Sequence, residues 1–578
     1  MEQLDPIYTK KHECQDCHKC IRECPVKAIR VQDSYSQVMP GFCIMCGSCV
    51  LACPSSAIQV RNDLPSAQAL MTSGRKVIAS LDPSFVAQFP GVRPAQMIHG
   101  LKELGFFAVS ETALGAQQVS AGISALMRSE PKRIWISPAC PSVVDFIGMY
   151  HPECQPQVTD LLSPLLAHCK LLRSHYGDDI AIVFIGPCLA KKKEAELHPE
   201  LLDVVLGFDD LERWLNLNSI RLAQVVETPT DRFEPEEAQE GVLYAVEGGM
   251  AQGIACDLGI ENFEFMSFSG IPNVERALKD IPGWKPDRSI FLEMTACAGS
   301  CINGPKATSD TSIARRRYDI VQYAKPSVGL SRKVTLDIAE RHAVSPIAPK
   351  KYGELPLREA LRWVGQYSAE DELNCGGCGY QSCRDFAHAL LAGNAERMMC
   401  ATYTRKLAQK KANALLRRMP AAVVIVDEDL KIIECNPNFS QLFPADEEQP
   451  EKLEGAVPRG VLPFSNLFRR VLDSGEDIVS HDIRHGRSIL NTSIFTIEPY
   501  AVVGGIFQDI TEPTFQKEQI IGRAQQVIEK NLKTVQQIAY LLGENAADSE
   551  VILNSIVSSF RPEEADDGDA GENSARGR

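Results

Sequence analysis

Two hydrophobic periods alternate along the central part of the chain, from about residue 70 to residue 345. Short apolar runs at 76–81, 133–136 and 180–185 are bounded by Gly, Pro or polar residues and are typical of buried strands. Segments with apolar residues at helical spacing separate these runs. The alternation predicts an α/β architecture with parallel strands. In such folds ligands bind where the strands end in loops.

The flanking regions have shorter patterns. Residues 28–31 and 57–60 predict a matching pair of short strands. Near the other end, residues 419–439 predict a strand, an acidic turn, a second strand and a helix that begins at an Asn-Pro pair, and residues 493–512 predict two more strands. Apolar positions at helical spacing predict an amphipathic helix over 515–543. The fold class predicted for the whole chain is multidomain, α/β and α+β, with C-terminal helices.

Composition and charge exclude several function classes. The chain has 578 residues, which suggests several domains, and 44% of them are hydrophobic. No apolar run is long enough to span a membrane, and the N-terminus lacks the apolar segment of a secretory signal, so we expect a cytoplasmic protein with no membrane partner. The net charge of -15 argues against nucleic-acid binding, which needs a basic face. The tail over 561–578 is rich in Asp, Glu, Gly and Ser and is predicted to be disordered.

The 20 cysteines are the main candidates for chemistry. Disulfides are disfavoured because the cytosol keeps thiols reduced, so metal binding is the better expectation. Eight of them form two consecutive runs with identical spacing, each followed by proline: Cys14, Cys17, Cys20 and Cys24, then Cys43, Cys46, Cys49 and Cys53. In this spacing three thiolates bind one cluster and the fourth reaches the other, which predicts two 4Fe-4S clusters. Paired zinc knuckles are the alternative, and the fourth cysteine with its proline disfavours them. Residues 1–63 resemble a bacterial two-cluster ferredoxin.

Three further loops in the central region carry cysteines after apolar runs. They are Ser137-Pro138-Ala139-Cys140-Pro141, Gly186-Pro187-Cys188-Leu189-Ala190-Lys191-Lys192, and the segment 293–305 with Cys297 and Cys301. Four thiolates are the number that a 4Fe-4S cluster needs. Cys154, Cys169 and Cys256 do not fit this spacing and are predicted to be buried structural thiols.

As a set, these loops resemble the three signature motifs of the iron-iron hydrogenase catalytic domain. Supporting segments are 111–116, 210–214 and 247–250. The resemblance implies that Cys140, Cys188, Cys297 and Cys301 hold the cubane of an H-cluster and that Cys301 bridges to a two-iron subsite. It implies that this subsite carries carbon monoxide, cyanide and an azadithiolate supplied by maturation enzymes.

The resemblance also assigns Lys191, three residues after Cys188, to contact with a cyanide ligand, because an ammonium group stabilises an anionic ligand in a pocket of low dielectric. The alternative is a solvated charge in the run 191–194. No other ligand-binding residues are assigned to a cofactor beyond the metal ligands.

The departures from the family pattern concern proton transfer. The family places a proton-transferring cysteine just before the first cluster cysteine, and Ala139 stands there instead. Carboxylates of the outer relay are replaced by Gln117 and Gln118, and an amide is neither acid nor base. Methionines beside the cluster are replaced by Gly186 and Thr295. We therefore expect slow turnover, because each missing general acid or base typically costs about two to four orders of magnitude in rate.

A third cysteine motif follows the catalytic-like region, with the spacing C-x2-C-x4-C-x16-C at Cys375, Cys378, Cys383 and Cys400. It resembles a small four-cysteine 4Fe-4S domain, and a structural zinc site is the alternative that spacing leaves open. Its position between the catalytic-like and C-terminal regions suits a relay of redox state. The C-terminal strands resemble a PAS domain, and His481 and His485 there are predicted to be solvated. A PAS domain without its own cofactor implies dimerisation or signal relay.

Three functional hypotheses remain. The first is a sensory hydrogenase that binds or slowly oxidises hydrogen and reports through PAS and helix to a partner such as a kinase or phosphatase. The second is a catalytic hydrogen:ferredoxin oxidoreductase with another proton route, and the third is a non-catalytic electron-transfer or assembly protein. Expected partners are hydrogen, a redox carrier such as ferredoxin, H-cluster maturation enzymes and a second copy through PAS and C-terminal helix. The predicted domains are 1–63 (ferredoxin), 64–345 (H-cluster), 346–404 (four-cysteine), 405–512 (PAS with entry helix) and 513–578 (helices and tail).

Overall fold

A computed structural model describes most of the chain. The described residues are 5–324, 329–330, 333–348, 350–443, 462–486, 488–511 and 526–535. They fall into two compact units, residues 1–399 and residues 400–578, and each unit is described by itself.

The first unit contains eleven strands among its described residues. They are β1 (Ile7–Thr9), β2 (Ile29–Gln32), β3 (Tyr35–Val38), β4 (Ile58–Val60), β5 (Lys76–Leu81), β6 (Ala108–Glu111), β7 (Ile134–Ile136), β8 (Ile180–Ile185), β9 (Val204–Leu206), β10 (Phe263–Ser269) and β11 (Ser289–Thr295).

Fifteen α-helices accompany these strands in the described part of the unit. They are α1 (Lys19–Glu23), α2 (Ser48–Ala52), α3 (Leu64–Met71), α4 (Phe85–Gln88), α5 (Pro94–Glu103), α6 (Ala113–Ser129), α7 (Pro141–Tyr150), α8 (Pro164–Tyr176), α9 (Ala190–Leu197), α10 (Phe208–Leu217), α11 (Gly249–Leu258), α12 (Ile271–Leu278), α13 (Ile313–Tyr323), α14 (Glu354–Arg362) and α15 (Cys383–Leu391).

The N-terminal part has a pseudo-twofold pattern. Strand β1 pairs with β4 and β2 pairs with β3, both antiparallel, and the two short helices α1 and α2 pack against each other. The two strands predicted at 28–31 and 57–60 correspond to β2 and β4, each displaced by one residue at its start.

Two parallel sheets form the central part, as the alternation of periods predicts. One sheet has the order β6-β5-β8-β9 and the other has the order β10-β11-β7. Strands β5 and β8 lie in the middle of the first sheet, and their side chains are buried on both faces apart from Lys76. This explains why both appear in the sequence as continuous apolar runs rather than as alternating ones. The prediction of a mixed α/β protein is confirmed.

Helices cover both faces of the four-stranded sheet. One core cluster gathers Ile78, Ile182 and Phe184 with α6 and α8, and another gathers Val77, Val183 and Ile185 with α5 and α10. A close approach holds α6 against α8: a Cβ on Gly115 would lie 2.0 Å from the Pro164 carbonyl oxygen. Gly115 is therefore a packing requirement.

Between residues 400 and 511 the described part of the second unit contains five strands and three α-helices. They are α16 (Ala401–Arg418), β12 (Ala422–Val426), β13 (Ile432–Cys435), α17 (Pro437–Leu442), α18 (Ser465–Ser474), β14 (Ile478–His485), β15 (Ser488–Glu498) and β16 (Val502–Asp509). The strands form one antiparallel sheet in the order β13-β12-β16-β15-β14. Phe439, Phe443, Phe468 and Phe507 meet in the core on one face of this sheet.

The C-terminal prediction is covered only in part. Residues 526–535 are helical, in agreement with the helix predicted over 515–543, whereas 512–525 and 536–578 lie outside the described residues. No helix within the described ranges is long and apolar enough to cross a lipid bilayer.

Candidate metal centres

The two N-terminal cysteine loops have the same backbone shape. Asp16 and His18 lie two and four residues after the first cysteine of their loop and have φ of 52° and 57°, and the equivalent Met45 and Gly47 have φ of 57° and 78°. Left-handed backbone is uncommon outside glycine, so its recurrence at the same positions is a structural repeat and not a coincidence of sequence. The left-handed turns curl each loop around its three thiols.

Backbone N–H groups also point at the sulfur atoms in the same places. The Ala28 amide donates to Cys24 Sγ at 3.3 Å, and the Ala57 amide donates to Cys53 Sγ at 3.2 Å. Both donors lie four residues after the fourth cysteine of a run. Hydrogen bonds to sulfur stabilise thiolate ligands and tune cluster potentials.

The fourth cysteine of the first run lies with the second run. Burial raises the pKa of Cys24 to about 11, and Cys46 is its next largest influence. The pKa of Cys43 is raised to about 12 by burial, with Cys46 and Cys24 adding to the shift. Cys24 therefore has the thiols of the second loop as neighbours, as expected of the fourth cysteine of the first run in a two-cluster ferredoxin.

The three central loops bring four more thiols together. Cys140 follows β7 and caps α7, Cys188 lies between β8 and α9, and Cys297 and Cys301 follow β11. Strands β7 and β11 are parallel neighbours, so their carboxyl ends share one edge of a sheet, and Cys188 joins them from the end of β8 in the other sheet. One cavity is lined by residues of all three loops: Met45, Cys46, Cys140, Ser142, Cys188, Leu189, Thr295, Ala296, Cys297, Cys301, Gly304 and Pro305.

Electrostatics at this cavity favours a multi-iron cluster. Each of the four thiols keeps some accessible surface, but that surface faces the cavity, and burial raises the pKa of Cys188 to about 12 and those of Cys140, Cys297 and Cys301 in the same direction. Thiolates form in such a place only when a bound cation replaces the proton. Four thiols lining one cavity are the number of ligands that a 4Fe-4S cluster needs.

Lys191 is buried in the same region and is not the solvated charge of the alternative. Its Nζ lies 2.7 Å from Glu194 Oε2 and donates to Ser163 Oγ at 3.2 Å. Burial alone lowers the pKa of a lysine, but Glu194 and the sulfurs of Cys188 and Cys140 outweigh burial and raise it. The ammonium group is therefore held charged beside the thiols.

Ala139, Gln117 and Gln118 are buried or half-buried in the same unit as the four central thiols. Ala139 is half-buried directly before Cys140, and its amide donates to Ser137 Oγ at 3.3 Å. Gln117 and Gln118 are buried on α6. The Gln117 amide donates to Glu240 Oε2 at 3.4 Å, so a buried carboxylate from another segment stands beside the outer position.

Sequence reasoning missed a buried carboxylate at the end of β5. Asp82 is 3% exposed and accepts a hydrogen bond of 2.6 Å from the Tyr244 hydroxyl. Burial raises the pKa of Asp82, whereas the hydrogen bonds from Ser84 and Tyr244 and the charge of Lys191 lower it by less. A Cβ on Gly186 would lie 2.8 Å from Asp82 Cβ, so the small residue at 186 makes room for this carboxylate. Its position just after a buried central strand was the available signal.

Glu293 is a second buried carboxylate that the sequence did not single out. It lies on β11, accepts a hydrogen bond of 2.8 Å from the Ala251 amide at the start of α11, and is 4% exposed. Burial raises the pKa of Glu293 to about 7, with Glu247 contributing in the same direction.

The third cysteine motif is divided by the boundary between the two units. Cys375, Cys378 and Cys383 lie in the first unit, where Gly376 and Gly379 have φ of 70° and 91° and curl the loop. Cys400 opens the second unit, so the four-cysteine set remains a prediction from the sequence.

The remaining thiols divide into two groups. Cys154 and Cys169 are fully buried, as expected of structural thiols. The expectation for Cys256 is wrong: this residue is exposed, because it shares an outward face of α11 with Gln252, whereas Met250 and Ile254 face the core.

Comparison with known families identifies three segments of the chain. Residues 6–54 match the model of the 4Fe-4S dicluster domain, and residues 75–305 match that of the iron only hydrogenase large subunit, C-terminal domain. Residues 371–413, which include the third set of cysteines, match a model described as "Putative Fe-S cluster". The chain therefore contains iron-sulfur cluster domains and, over residues 75–305, a domain similar to the C-terminal domain of the iron-only hydrogenase large subunit.

Solved structures show more distant likenesses. A variant of the FeFe-hydrogenase HydA1 from Chlamydomonas reinhardtii has 15% identity and a TM-score of 0.40 over 50% of this chain and 100% of its own. HydA(deltaEFG), solved in a study of stepwise H-cluster assembly, has the same identity, coverage and TM-score. The LOV protein of Rhodobacter sphaeroides has 14% identity and a TM-score of 0.19 over 27% of this chain and 93% of its own. No curated protein sequence matches the chain.

Proposed function

We propose that the protein is a hydrogen sensor: it binds and slowly oxidises hydrogen at an H-cluster and relays redox state through 4Fe-4S clusters to a PAS signalling domain. The single observation that carries the proposal is Ala139 beside Cys140. A methyl group has no exchangeable proton, so the step next to the two-iron subsite lacks its acid-base group.

In this proposal Cys140, Cys188, Cys297 and Cys301 would hold the cubane of the H-cluster, and Cys301 would also hold the two-iron subsite. When bound, that subsite with its carbon monoxide, cyanide and azadithiolate ligands supplies the chemistry of hydrogen cleavage. Lys191 is held charged by Glu194 and orients a cyanide ligand. Hydrogen yields two electrons and two protons, and the electrons leave singly through the ferredoxin clusters.

The C-terminal unit supports the signalling half of the proposal. Five antiparallel strands in the order β13-β12-β16-β15-β14, with helices inserted between β13 and β14, are the arrangement of a PAS domain. Phe439, Phe443, Phe468 and Phe507 occupy one face of that sheet, which suits a relay domain better than a ligand pocket. We propose the same domain limits as those predicted from the sequence. Homodimerisation and a kinase or phosphatase as the downstream partner are part of the same proposal.

Infrared spectroscopy of protein matured under anaerobic conditions is the first test. We expect bands from metal-bound carbon monoxide and cyanide. Their absence after maturation would leave a non-catalytic electron-transfer protein and remove both hydrogenase hypotheses.

Hydrogen turnover of Ala139→Cys is the second test, with Ala139→Ser as a matched control because a hydroxyl is too weak an acid. The thiol should raise turnover by about two orders of magnitude or more, and the hydroxyl should not. Wild-type turnover as fast as that of Ala139→Cys would contradict the sensing proposal.

The second candidate is a catalytic hydrogenase with another proton route, and Asp82 is the observation that favours it. This carboxylate is buried, hydrogen-bonded to Tyr244 and electrostatically close to Cys301. Asp82→Asn separates the two candidates: a catalytic enzyme that uses this route would lose turnover by about two to four orders of magnitude, whereas a sensor would keep its slow rate.

A further inference from the structure

The third cysteine loop lies against the ferredoxin domain. Lys27 Nζ donates to three carbonyl oxygens: Ile21 at 2.8 Å, Arg22 at 3.1 Å and Gly379 at 3.0 Å. The first two are in α1, the helix between Cys20 and Cys24, and the third is in the loop that carries Cys378. A lysine ammonium group has three donors, and all three are used here.

The backbones of the two segments approach closely at the same place. Gly379 has φ of 91°, and a Cβ there would lie 2.9 Å from the Cβ of Ile21, which is fully buried. Arg22 also donates to the Gly377 carbonyl at 3.1 Å and to the Cys17 carbonyl at 3.3 Å. Two neighbouring side chains therefore tie the third loop to the helix that carries ligands of the ferredoxin.

A second set of contacts prevents the third cysteine loop and α15 from rotating about the Lys27 contact. The Val31 amide donates to the Asn394 carbonyl at 3.1 Å, and the Asp33 amide donates to Glu396 Oε1 at 2.8 Å. These partners follow α15, the helix that begins at Cys383. Contacts at both ends of α15 fix its orientation on the ferredoxin domain.

The opposite side of the ferredoxin domain faces the H-cluster loops. Met45 and Cys46 line the same cavity as the four central thiols, and a Cβ on Gly47 would lie 2.6 Å from the Pro305 ring. The ferredoxin domain therefore has the catalytic loops on one side and the third cysteine loop on another. The order in space differs from the order in sequence, where the third motif follows the catalytic region.

We propose that the contact between α1 and loop 375–383 is an intramolecular electron-transfer junction and that Lys27 is its positioning residue. One electron passes from a reduced ferredoxin cluster to the oxidised cluster of the third motif; the first is oxidised, the second is reduced, and no bond or proton changes place. Electrons from the catalytic site thus reach the third cluster through the ferredoxin and not directly. The Lys27 ammonium lies near both Cys24 and Cys378 and offsets the repulsion between two anionic clusters.

The proposal depends on the proposed function only in requiring that the third loop bind a cluster. Iron analysis of Cys378→Ser tests that requirement separately. If this substitution leaves iron content and the EPR spectrum unchanged, the third cluster and the relay of the proposed function both fail.

The junction itself is tested by EPR of the fully reduced full-length protein. The two ferredoxin clusters already split each other's signals, so the quantity measured is the additional broadening and splitting that is present in the wild type and lost in Cys378→Ser. We expect this interaction in the wild type, its reduction by at least half in Lys27→Met, and its retention in Lys27→Arg, which keeps the charge and the donors. Lys19→Met is the matched control: it removes an equal charge from an exposed position of α1 and should leave the interaction unchanged.

Glu396→Ala provides a second variant in case Lys27→Met does not fold, because it removes only the acceptor for the Asp33 amide. It should weaken the spin interaction with iron content unchanged. An undiminished interaction in both Lys27→Met and Glu396→Ala would overturn the proposal. Loss of about four irons per chain in both would also overturn it, since the contact would then be needed for folding and not for electron transfer.

Discussion

The ion pair between Lys192 and Asp63 gives the most stringent stability prediction. Lys192, on α9 of the hydrogenase-like domain, is 1% exposed, and its Nζ lies 2.6 Å from Asp63 Oδ2, which precedes α3. The same ammonium donates to the Val205 carbonyl at 2.9 Å. Asp63 has a second cation, because Arg61 Nε lies 2.7 Å from its Oδ1. Removing one partner should therefore cost much more than removing the other.

Asp63→Asn leaves a buried ammonium without its carboxylate. Breaking a buried pair in this way typically costs about 3–5 kcal/mol. If Lys192 loses its proton instead, the cost has a similar upper limit. The usual pKa of lysine lies about three units above pH 7.5, and three units correspond to about 4 kcal/mol of unfolding free energy. Lys192→Met removes the buried charge and leaves Asp63 paired with Arg61, so we expect a loss of about 1 kcal/mol or less.

Urea unfolding under anaerobic conditions measures this asymmetry, with fluorescence of the buried Trp135 and Trp214 as the signal. Lys193→Met is the control, because its pair with Asp145 at 2.7 Å is partly exposed and should contribute at most about 1 kcal/mol. The pH dependence gives a second check. In Asp63→Asn the folded state lowers the lysine pKa, so the penalty should be full at pH 7 and should shrink as pH rises towards about 10.4. Equal destabilisation by Asp63→Asn and Lys192→Met, or a penalty that is constant with pH, would refute the reasoning.

Three further outcomes are expected. Gly115→Ala places a Cβ against backbone atoms of α8 and should cost about 3 kcal/mol or more in unfolding free energy, whereas Gly41→Ala, with no atom within 4 Å, should cost under about 1 kcal/mol. Glu293 holds its proton to about pH 7 in the folded state, so the free energy of unfolding of the wild type should fall by up to about 3 kcal/mol as pH rises from about 4.5 to 7. Glu293→Gln should abolish that slope. An unchanged slope in this variant would exclude Glu293 as its source. Gly47→Ala, at φ 78° and facing Pro305, should slow reduction of the ferredoxin clusters by hydrogen in stopped-flow absorbance with iron content retained, and a wild-type rate would contradict the close contact.

Much of the hydrogenase-like domain could be predicted because its central strands β5 and β8 are buried on both faces. Burial on both sides produces continuous apolar runs, and those at 76–81 and 180–185 became β5 and β8 with the predicted bounds. The meeting of the loops after β7 and β11 followed from their parallel pairing, since the ends of such strands share an edge, whereas the approach of Cys188 from the end of β8 depends on how the two sheets pack.

The features that could not be predicted depend on contacts between distant segments. Asp82 is one polar residue after an apolar run, and only the fold places it beside Tyr244, which is 162 positions away. Glu240 reaches Gln117 from a separate 3-10 segment. Cys256 was wrongly expected to be buried because its position on the outward face of α11 is set by which side of the helix packs on the core.

Met45 and Cys46 form one wall of the four-thiol cavity, so cutting the chain between the N-terminal and central regions would change that cavity. The catalytic region, taken alone, would lack one side of the enclosure around its cluster. An excised fragment beginning near residue 64 would leave these sulfurs more exposed to water and dioxygen than they are in the intact chain. Spectra or oxygen tolerance measured on such a fragment would describe a different chemical environment from that of the whole molecule.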